Sequence, residues 1–367
     1  MLKISYRPLL LITIIALLSG CITPASEKLS RKLDQLSKGD NTDKISAYLD
    51  KLDKTKITDT NGKLIRKTID LGDITILEKL LLQENININA KGLDAHTPLA
   101  YLVITPAKDN KTHREMGKLL IDNGADVNAK VEDNKTILML ATEYYLPEIV
   151  KILIDNGADI DSKEDSGETA LHKSKEEILA VLVENGADIN TLDNEGNTVL
   201  HKLYYVDDVK FLVEKGLDIN SINKKGETAL FNACNPRSCN NVKIAELLAI
   251  GSNPNIQNTE SITLAHLALN AISLETLKVL LANNADITLT DNTGKTPLHY
   301  LALSLKNLNY SETVEIKKVY ESAALLFSAG ADPLAKDNDG LDPFSIAHDT
   351  IAPMITELKN PSSTTNR

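Results

Sequence analysis

The chain contains one spacing that recurs eight times without change. Eight loop positions, usually glycine in a phrase such as NGADVN, are each followed twelve residues later by a helix-start position, usually threonine. A short unit of this kind cannot bury its apolar residues alone, so the repetition requires copies that stack on one another. The paired positions are 85 and 97, 124 and 136, 157 and 169, 186 and 198, 216 and 228, 251 and 263, 284 and 296, and 330 and 342.

The stretch from Asp133 to Lys163 holds one complete copy of the unit. Apolar residues after Thr136, and again after Pro147, have the spacing of two short helices. Pro147 interrupts the first helix and can begin the second. Gly157 stops the second helix, because glycine adopts the left-handed conformation without a Cβ penalty. The stretch therefore predicts an antiparallel helix pair and a polar turn.

The distance from each helix start to the next loop position is not constant. It is 27, 21, 17, 18, 23, 21 and 34 residues along the chain, so the helix pair absorbs every insertion and deletion. Relative to the 21 residues after Thr136, the distances after Thr169 and Thr198 are shorter by four and three residues, which is about one helical turn. One helix of each of these two repeats is therefore predicted to be shortened. The distances that include residues 105–112 and 305–320 are longer than 21 residues, which predicts longer helices or turns there. We call the segment from each loop position to the helix start twelve residues later an arm. Its constant length predicts that neighbouring arms keep register.

The helix starts TPLA, TALH, TVLH, TALF, TLAH and TPLH, together with the GAD loops, resemble the ankyrin repeat family over about residues 62 to 359. The resemblance implies an all-α ankyrin-repeat solenoid of stacked helix pairs with projecting β-hairpin loops. We interpret residues 28–61 as an N-terminal capping repeat and residues 62–339 as about eight repeats. Residues 340–359 are then a C-terminal capping repeat, and residues 360–367 a disordered tail.

The first twenty residues have the pattern of an export signal. Lys3 and Arg7 precede an almost wholly apolar run, residues 9–18, which is too short to cross a bilayer as a helix. The sequence from Leu18 to Cys21, LSGC, then resembles the lipobox of bacterial lipoproteins, whose cysteine receives a diacylglycerol. The resemblance implies a signal peptide over residues 1–20, a lipid anchor on Cys21 and a tether over residues 21–27. The alternative is an ordinary export signal that leaves Cys21 free.

The residue after Cys21 bears on location. Ile22 stands where an aspartate would retain a lipoprotein at the inner membrane under the enteric sorting rule, so the outer membrane is favoured. Loss of Lys3 and Arg7 on cleavage leaves 38 basic and 51 acidic side chains. This excess of acidic side chains disfavours binding to nucleic acid and adhesion of the protein surface to anionic lipid. The membrane anchor must therefore be the covalent lipid on Cys21 and not the protein. The expected location is the cell envelope, facing the periplasm or the cell surface.

Two cysteines remain in addition to Cys21. Cys234 takes the place of a small buried residue, and Cys239 falls in the turn between helices. In an oxidising compartment an even number of cysteines favours a disulfide, which would close a short loop. One buried and one exposed thiol is the alternative.

The histidines do not form a recognisable metal or catalytic site. The resemblance implies that four of them make structural hydrogen bonds to the neighbouring loop, namely His172, His201, His266 and His299. The other three, His96, His113 and His348, have no metal-ligand spacing. The acidic run before Gly340 lacks the carboxylates that a calcium loop requires, because Ala335 and Ile346 occupy the end positions. The sequence therefore predicts no cofactor, no metal and no enzyme.

Function is expected to come from the surface. The resemblance implies a concave groove, made by the arms and the exposed side of the first helices, that binds a partner protein. Tyrosines suit such a surface, although several rings could instead pack against adjacent repeats. The alternatives are a structural spacer without a tight partner and a surface-displayed, host-interacting protein. The candidate partner-binding residues are Tyr101, Leu140, Tyr144, Lys173, Lys202 and Tyr300; for Tyr101 and Tyr300 we expect exposure.

Overall fold

The computed structural model describes residues 23–36, 42–51, 55–59, 61–106, 109–203, 205–235, 237–305 and 313–346. The chain divides into two compact units, Met1–Asp188 and Ile189–Arg367, and each is described by itself. The predicted signal peptide (1–20), Cys21, His348, the tail (360–367) and the second part of the C-terminal capping repeat lie outside the described residues.

The N-terminal unit is a series of helix pairs. Each first helix packs on the first helix of the next pair, and each second helix on the next second helix, which confirms the predicted all-α stack. Residues Thr58–Asp59 (β1) and Asn85–Ile86 (β2) form a short parallel pairing. The pairs are α1 (Pro24–Leu36) with α2 (Thr42–Asp50), α3 (Lys63–Leu71) with α4 (Ile74–Leu81), α5 (Pro98–Ile104) with α6 (Asn110–Asp122), α7 (Ile137–Glu143) with α8 (Pro147–Asp155), and α9 (Ala170–Lys173) with α10 (Glu176–Glu184).

The C-terminal unit continues the same pattern with one irregular repeat. In that repeat a 3₁₀ turn (Phe231–Ala233) and a hairpin of β3 (Cys234–Asn235) and β4 (Ser238–Cys239) replace the first helix. Apolar side chains of neighbouring pairs, such as Leu277, Leu301 and Leu326, meet in a continuous core. The helices are α11 (Val199–Lys202), α12 (Val206–Glu214), α13 (Asn241–Ala249), α14 (Leu264–Asn270), α15 (Leu274–Ala282), α16 (Pro297–Leu305), α17 (Thr313–Ser328) and α18 (Pro343–Ile346).

The helix ends follow the predicted chemistry. Thr136 is the N-cap of α7, where its hydroxyl accepts the Met139 N–H at 3.2 Å. Pro147 is the first residue of α8, and Gly157 follows that helix with a φ of 84°. On α8 the buried residues are Ile149, Val150 and Leu153, which share one face at helical spacing.

Helix lengths confirm the interpretation of the uneven spacing. The first helices of the two short repeats, α9 and α11, have 4 residues each, whereas α5, α7 and α14 have 7. The surpluses appear as long second helices, because α6 has 13 residues and α17 has 16, while α8 has 9. The missing turn is thus taken from the first helix and the added turns go into the second.

The predicted tether is too long. Helix α1 begins at Pro24, four residues before the expected start of the capping repeat at residue 28. Thr23 stabilises this start, because its hydroxyl accepts the Ser26 N–H at 3.2 Å and proline suits the first helical position. The same hydroxyl donates to the Lys56 carbonyl at 2.6 Å, which holds the beginning of the helix against the segment that precedes β1.

Neighbouring arms are joined by a regular backbone hydrogen bond. The residue eight after the loop position donates its N–H to the carbonyl nine after the preceding loop position. A ladder of this kind tolerates no change in arm length, which confirms that the arms keep register and explains the constant spacing of twelve. The bonds are Asp165 to Asp133 (2.9 Å) in the N-terminal unit, and Lys224 to Glu195 (3.0 Å), Thr259 to Lys225 (2.8 Å), Asn292 to Glu260 (3.0 Å) and Asn338 to Thr293 (2.9 Å) in the C-terminal unit.

A second ladder is made by asparagine side chains four residues after the loop position. Asn89 donates its amide to the Gly124 carbonyl at 3.1 Å and accepts the Asp126 N–H at 2.8 Å. Each such asparagine therefore satisfies a donor and an acceptor of the next loop. The same arrangement recurs at Asn128, Asn220 and Asn255.

Candidate functional site

All candidate residues except Tyr144 lie at one repeated place, four residues after a first-helix N-cap. At four of these five positions the side chain contacts the arm or the preceding repeat. Tyr101, on α5, donates its hydroxyl to Asp70 at 2.8 Å, and the guanidinium carbon of Arg66 lies 5.5 Å from its ring centroid. Burial and the bond to Asp70 raise the pKa of Tyr101. The ring is half-buried, so Tyr101 is less exposed than expected.

Tyr300 has the same kind of surroundings on α16. Its hydroxyl donates to Asp291 at 2.9 Å, and its ring meets His266 edge to face with centroids 5.0 Å apart. Burial, together with the bond to Asp291, raises its pKa well above 10. This ring is also half-buried rather than exposed. Both phenol hydroxyls are engaged within the protein, so a partner could meet only the exposed part of each ring.

Lys173 stands at the centre of a cluster of carboxylates. Its ammonium lies 2.8 Å from Glu164, 2.9 Å from Glu168 and 3.1 Å from Glu143, and its side chain is only 12 % exposed. Lys135 also pairs with Glu143 at 3.0 Å. Burial alone would lower the pKa of Lys173, but the three carboxylates raise it above its usual value. The cluster ties the arm to the ends of α7 and α9.

Lys202 occupies the equivalent place on α11 and pairs with Asp193 at 3.0 Å. Burial disfavours the charged carboxylate, but hydrogen bonds from Asn197 and the ammonium of Lys202 lower the pKa of Asp193 to about 2. Asp193 also accepts the N–H groups of Glu195 and Asn197, both at 2.8 Å, and so shapes the arm's tip. Lys202 is 33 % exposed and remains accessible from solvent.

Leu140 and Tyr144 differ sharply in exposure. Leu140 is 6 % exposed, so its assignment to the binding surface is wrong. The reason is that α7 carries an unbroken apolar run from Ile137 to Ala141, which neighbouring helices cover on several sides. Tyr144, the C-cap of α7 one turn further on, is 53 % exposed and is the most accessible of the proposed tyrosines.

Three of the four repeated histidines, His201, His266 and His299, make the structural bonds that the resemblance implies. In His201 the Nδ1 atom accepts the Thr198 N–H at 3.2 Å, so the proton lies on Nε2, which donates to the Glu227 carbonyl at 2.9 Å. His266 and His299 bond to the Lys295 and Leu341 carbonyls at 3.1 Å and 3.3 Å. Burial lowers the pKa of each of these three rings, which are held neutral.

The run before Gly340 has hairpin-turn chemistry. One Asp337 oxygen accepts the N–H groups of Asp339 and Leu341, at 3.0 Å and 2.9 Å, and Gly340 has a φ of 75°. Within the described ranges, no group of three or more His, Cys, Asp or Glu side chains is arranged to hold a metal ion. None of the helices in those ranges combines the length and hydropathy that a membrane crossing needs.

Cys234 and Cys239 face each other across the β3–β4 hairpin. Their Cα atoms are 4.0 Å apart, and the structure pairs their sulfur atoms as a disulfide. Cys234 is 7 % exposed, in keeping with the expected small buried residue. The bonded state stays a prediction, which alkylation tests.

Sequence reasoning missed Arg66, the equivalent of Tyr101 in the preceding repeat. That repeat has no threonine at its helix start, and Gly62 is the N-cap of α3 instead. Counting four residues from Gly62 would have found Arg66. Its guanidinium donates to Asp94 at 2.8 Å and to the Asn61 carbonyl at 3.0 Å. A side chain on Gly92 would clash with it, since an added Cβ would lie 1.6 Å from the nearest guanidinium nitrogen.

Comparison with known proteins gives a consistent family match. A family model described as "Ankyrin repeats (3 copies)" matches residues 64–164, 107–193, 138–223 and 170–258 in overlapping register. A second model, "Ankyrin repeats (many copies)", matches residues 247–301. No curated protein matches the chain significantly. The matched ranges together span residues 64 to 301, which is more than half of the chain.

Proposed function

The chain belongs to the ankyrin repeat family, and from this premise we propose that it is a protein-binding module held at a bacterial membrane through a lipid on Cys21. Ankyrin repeats are generally protein–protein interaction modules and typically non-enzymatic. The partner is a protein of the cell envelope, met in the periplasm or at the cell surface, with the outer membrane favoured. The partner docks on the surface formed by the arms and the exposed side of the first helices.

The observation that carries the proposal is the rigid arm ladder. Backbone bonds such as that from Thr259 to the Lys225 carbonyl hold the arms in fixed positions, so little entropy is lost when a partner orders them. The arms also display apolar side chains to solvent, as Leu192 is 46 % and Ile222 57 % exposed. A preformed surface with exposed apolar and aromatic side chains suits protein recognition better than it suits catalysis.

The lipid anchor is supported by the sequence alone. The LSGC run follows a short apolar segment with basic residues before it, and a diacylated cysteine supplies the two chains that stable anchoring needs. The excess of acidic side chains gives the protein no other means of adhering to an anionic bilayer.

Photo-crosslinking in cells tests the surface. A crosslinking amino acid is placed at Tyr144 and Ile222, and matched probes are placed on the second helices α8 and α15, at Lys151 and Lys278. Captured proteins are identified by mass spectrometry. We expect one protein to be captured from the first two positions and not from the second two. Capture of the same abundant proteins from all four positions would favour the spacer alternative.

The anchor has its own test. Mass spectrometry of the mature N-terminal peptide is expected to show a diacylglyceryl group on Cys21, and Cys21→Ser is expected to move the protein from the detergent phase to the aqueous phase. An unmodified Cys21 with an unchanged distribution would contradict lipidation and leave the binding proposal in place.

A further inference from the structure

A cavity of about 570 Å³ opens on the predicted binding surface of the N-terminal unit. It lies between the exposed side of α3 and the tip of the following arm, so a helix and an arm form its two walls. Its volume falls in the range of pockets that hold small ligands or a few side chains of a peptide. It is lined by Asn61, Lys63, Arg66, Lys67, Asp70, Lys91, Gly92, Leu93 and Asp94.

The floor of this cavity is rigid. The Arg66 guanidinium is fixed by Asp94, by the Asn61 carbonyl and by the ring of Tyr101. It lies directly over Gly92, which has no side chain to displace it. A cationic group held from several sides needs no reorganisation when an anion arrives, so it contributes binding energy at low entropic cost.

The rim carries positive charge that the protein leaves uncompensated. The Lys63 ammonium forms no ion pair with any described residue, and Lys91 bonds only to the neutral Lys130 carbonyl among them, at 3.0 Å. Lys67 is paired with Asp34, which lies outside the lining, yet the lining itself has four basic and two acidic side chains although the whole chain has a net charge of −11. A local positive potential on an acidic protein attracts anionic groups to this one place.

The rim also has an apolar member. Leu93, at the tip of the arm, is fully exposed and makes no contribution to the core. Cationic side chains beside an exposed leucine suit a ligand with a carboxylate next to an apolar side chain. A bilayer surface fits poorly, because it is broad and flat whereas the cavity is a cleft between a helix and an arm.

We infer that this cavity is the docking site for an acidic, partly apolar segment of the partner protein, which places a carboxylate near Lys63 and Lys91 and an aliphatic side chain against Leu93. The inference rests on the proposed binding function and adds the chemistry of the partner and the place where it docks. Arg66 and Tyr101 form the rigid floor beneath the bound segment.

The test is selection of random twelve-residue peptides displayed on phage, with the full chain purified in detergent as the target. We expect the recovered peptides to be enriched in Asp or Glu adjacent to Leu, Ile, Val or Phe. A representative peptide is then labelled with fluorescein and titrated by anisotropy. Lys63→Glu/Lys91→Glu should weaken its binding by roughly tenfold or more, and higher salt should weaken it for the wild type.

A matched variant separates local charge from net charge. Lys118→Glu/Lys151→Glu, on the second helices α6 and α8, changes the net charge of the protein by the same amount. It is expected to leave the affinity for the peptide within about twofold, because these lysines lie away from the cavity. Leu93→Ser keeps the charge and is expected to weaken binding by about fivefold, since an apolar contact is lost. Thermal unfolding of each variant confirms that the exposed substitutions leave the fold intact.

Several results would overturn the inference. These are failure to recover peptides, recovery of peptides without acidic residues, and equal binding to the Lys63/Lys91 and Lys118/Lys151 double variants. Displacement of the labelled peptide by millimolar inorganic phosphate, with no effect of Leu93→Ser, would identify a simple anion site instead. If the crosslinks from Tyr144 and Ile222 persist in Lys63→Glu/Lys91→Glu, the general binding function stands and only this docking site is refuted.

Discussion

Asn128 joins two successive repeats by bonding to both sides of the Gly157 loop. Its amide donates to the Gly157 carbonyl at 3.1 Å, and its side-chain oxygen accepts the Asp159 N–H at 2.8 Å. In the next repeat Asp161 takes this place and makes only the accepting bond, to the Asp188 N–H at 3.0 Å. A carboxylate has no proton to donate to a loop carbonyl.

This difference predicts opposite effects for two substitutions. Asn128→Ala should lower the free energy of unfolding by about 1–2 kcal/mol, because two exposed hydrogen bonds are lost. Asp161→Asn should raise it by about 0.5–1 kcal/mol, because the new amide can donate to the Gly186 carbonyl. Urea unfolding measures both values. Equal and negligible effects would show that the asparagine ladder does not stabilise the stack.

The arm register predicts a difference between two glycines of similar conformation. Gly294 and Gly340 have φ angles of 80° and 75°, so alanine at either position costs about 1–2 kcal/mol of backbone strain. A Cβ on Gly294 would also lie 2.6 Å from the Asn338 side-chain oxygen and 2.9 Å from its backbone nitrogen, whereas one on Gly340 meets no described atom within 4 Å. Gly294→Ala should therefore destabilise more than Gly340→Ala in thermal unfolding; the reverse order would contradict the observed contact.

The carboxylate cluster predicts a large effect of removing its cation. Lys173→Met leaves Glu143, Glu164 and Glu168 close together without the ammonium that all three contact, and should cost about 2–3 kcal/mol. Lys202→Met is the control, because the Lys202 side chain is 33 % exposed whereas that of Lys173 is 12 % exposed, and it should cost under about 1 kcal/mol. Similar losses in urea unfolding would mean that the cluster contributes little beyond a surface pair.

The repeated histidines predict a loss of stability in mild acid. Their pKa values are lowered in the folded state, so the unfolded chain binds more protons below about pH 6.5. The free energy of unfolding should therefore decrease as the pH falls from 7.5 to 5.5, a range in which most carboxylates stay ionised. His201→Gln should reduce this slope, measured by urea unfolding at each pH. An unchanged slope would exclude His201 as a contributor.

The β3–β4 hairpin predicts protection of two thiols. Cys234 and Cys239 should resist alkylation in denatured, unreduced protein and react after reduction, as measured by mass spectrometry. Their sequence separation of 5 residues gives a loop-closure stabilisation of about 2 kcal/mol. Reaction of both thiols without reductant would establish the free form.

The pattern of repeats was readable from the sequence because its signals are local. A threonine N-cap, a proline at a helix start and a glycine after a helix each act through their own backbone, as at Thr136, Pro147 and Gly157. The constant arm length also carried information about neighbours, since a ladder between arms requires it. The deficit of about one turn predicted a shortened helix in each of two repeats but not which helix, and the structure shows that it is the first, α9 and α11.

Exposure was harder to predict, because it depends on what the adjacent repeat places opposite a side chain. Leu140 and Tyr101 occupy equivalent positions, yet one is buried and the other bonds to Asp70 in the repeat before it. Arg66 was missed because Gly62 replaces the threonine that marks other repeats. The early start of α1 depended on recognising Thr23 as a cap without an apolar pattern to support it.

With the proposed lipid on Cys21, the position of Thr23 limits how far the protein can stand from a bilayer. Its side chain is bonded to the Lys56 carbonyl, so the folded body begins two residues after Cys21. Two residues reach about 7 Å at full extension, roughly the thickness of one headgroup layer. With a lipid on Cys21, no long flexible linker separates the anchor from the repeats, and the first helix pair lies against the headgroups. Any partner must then be close enough to the same leaflet to reach a surface that cannot swing out to meet it.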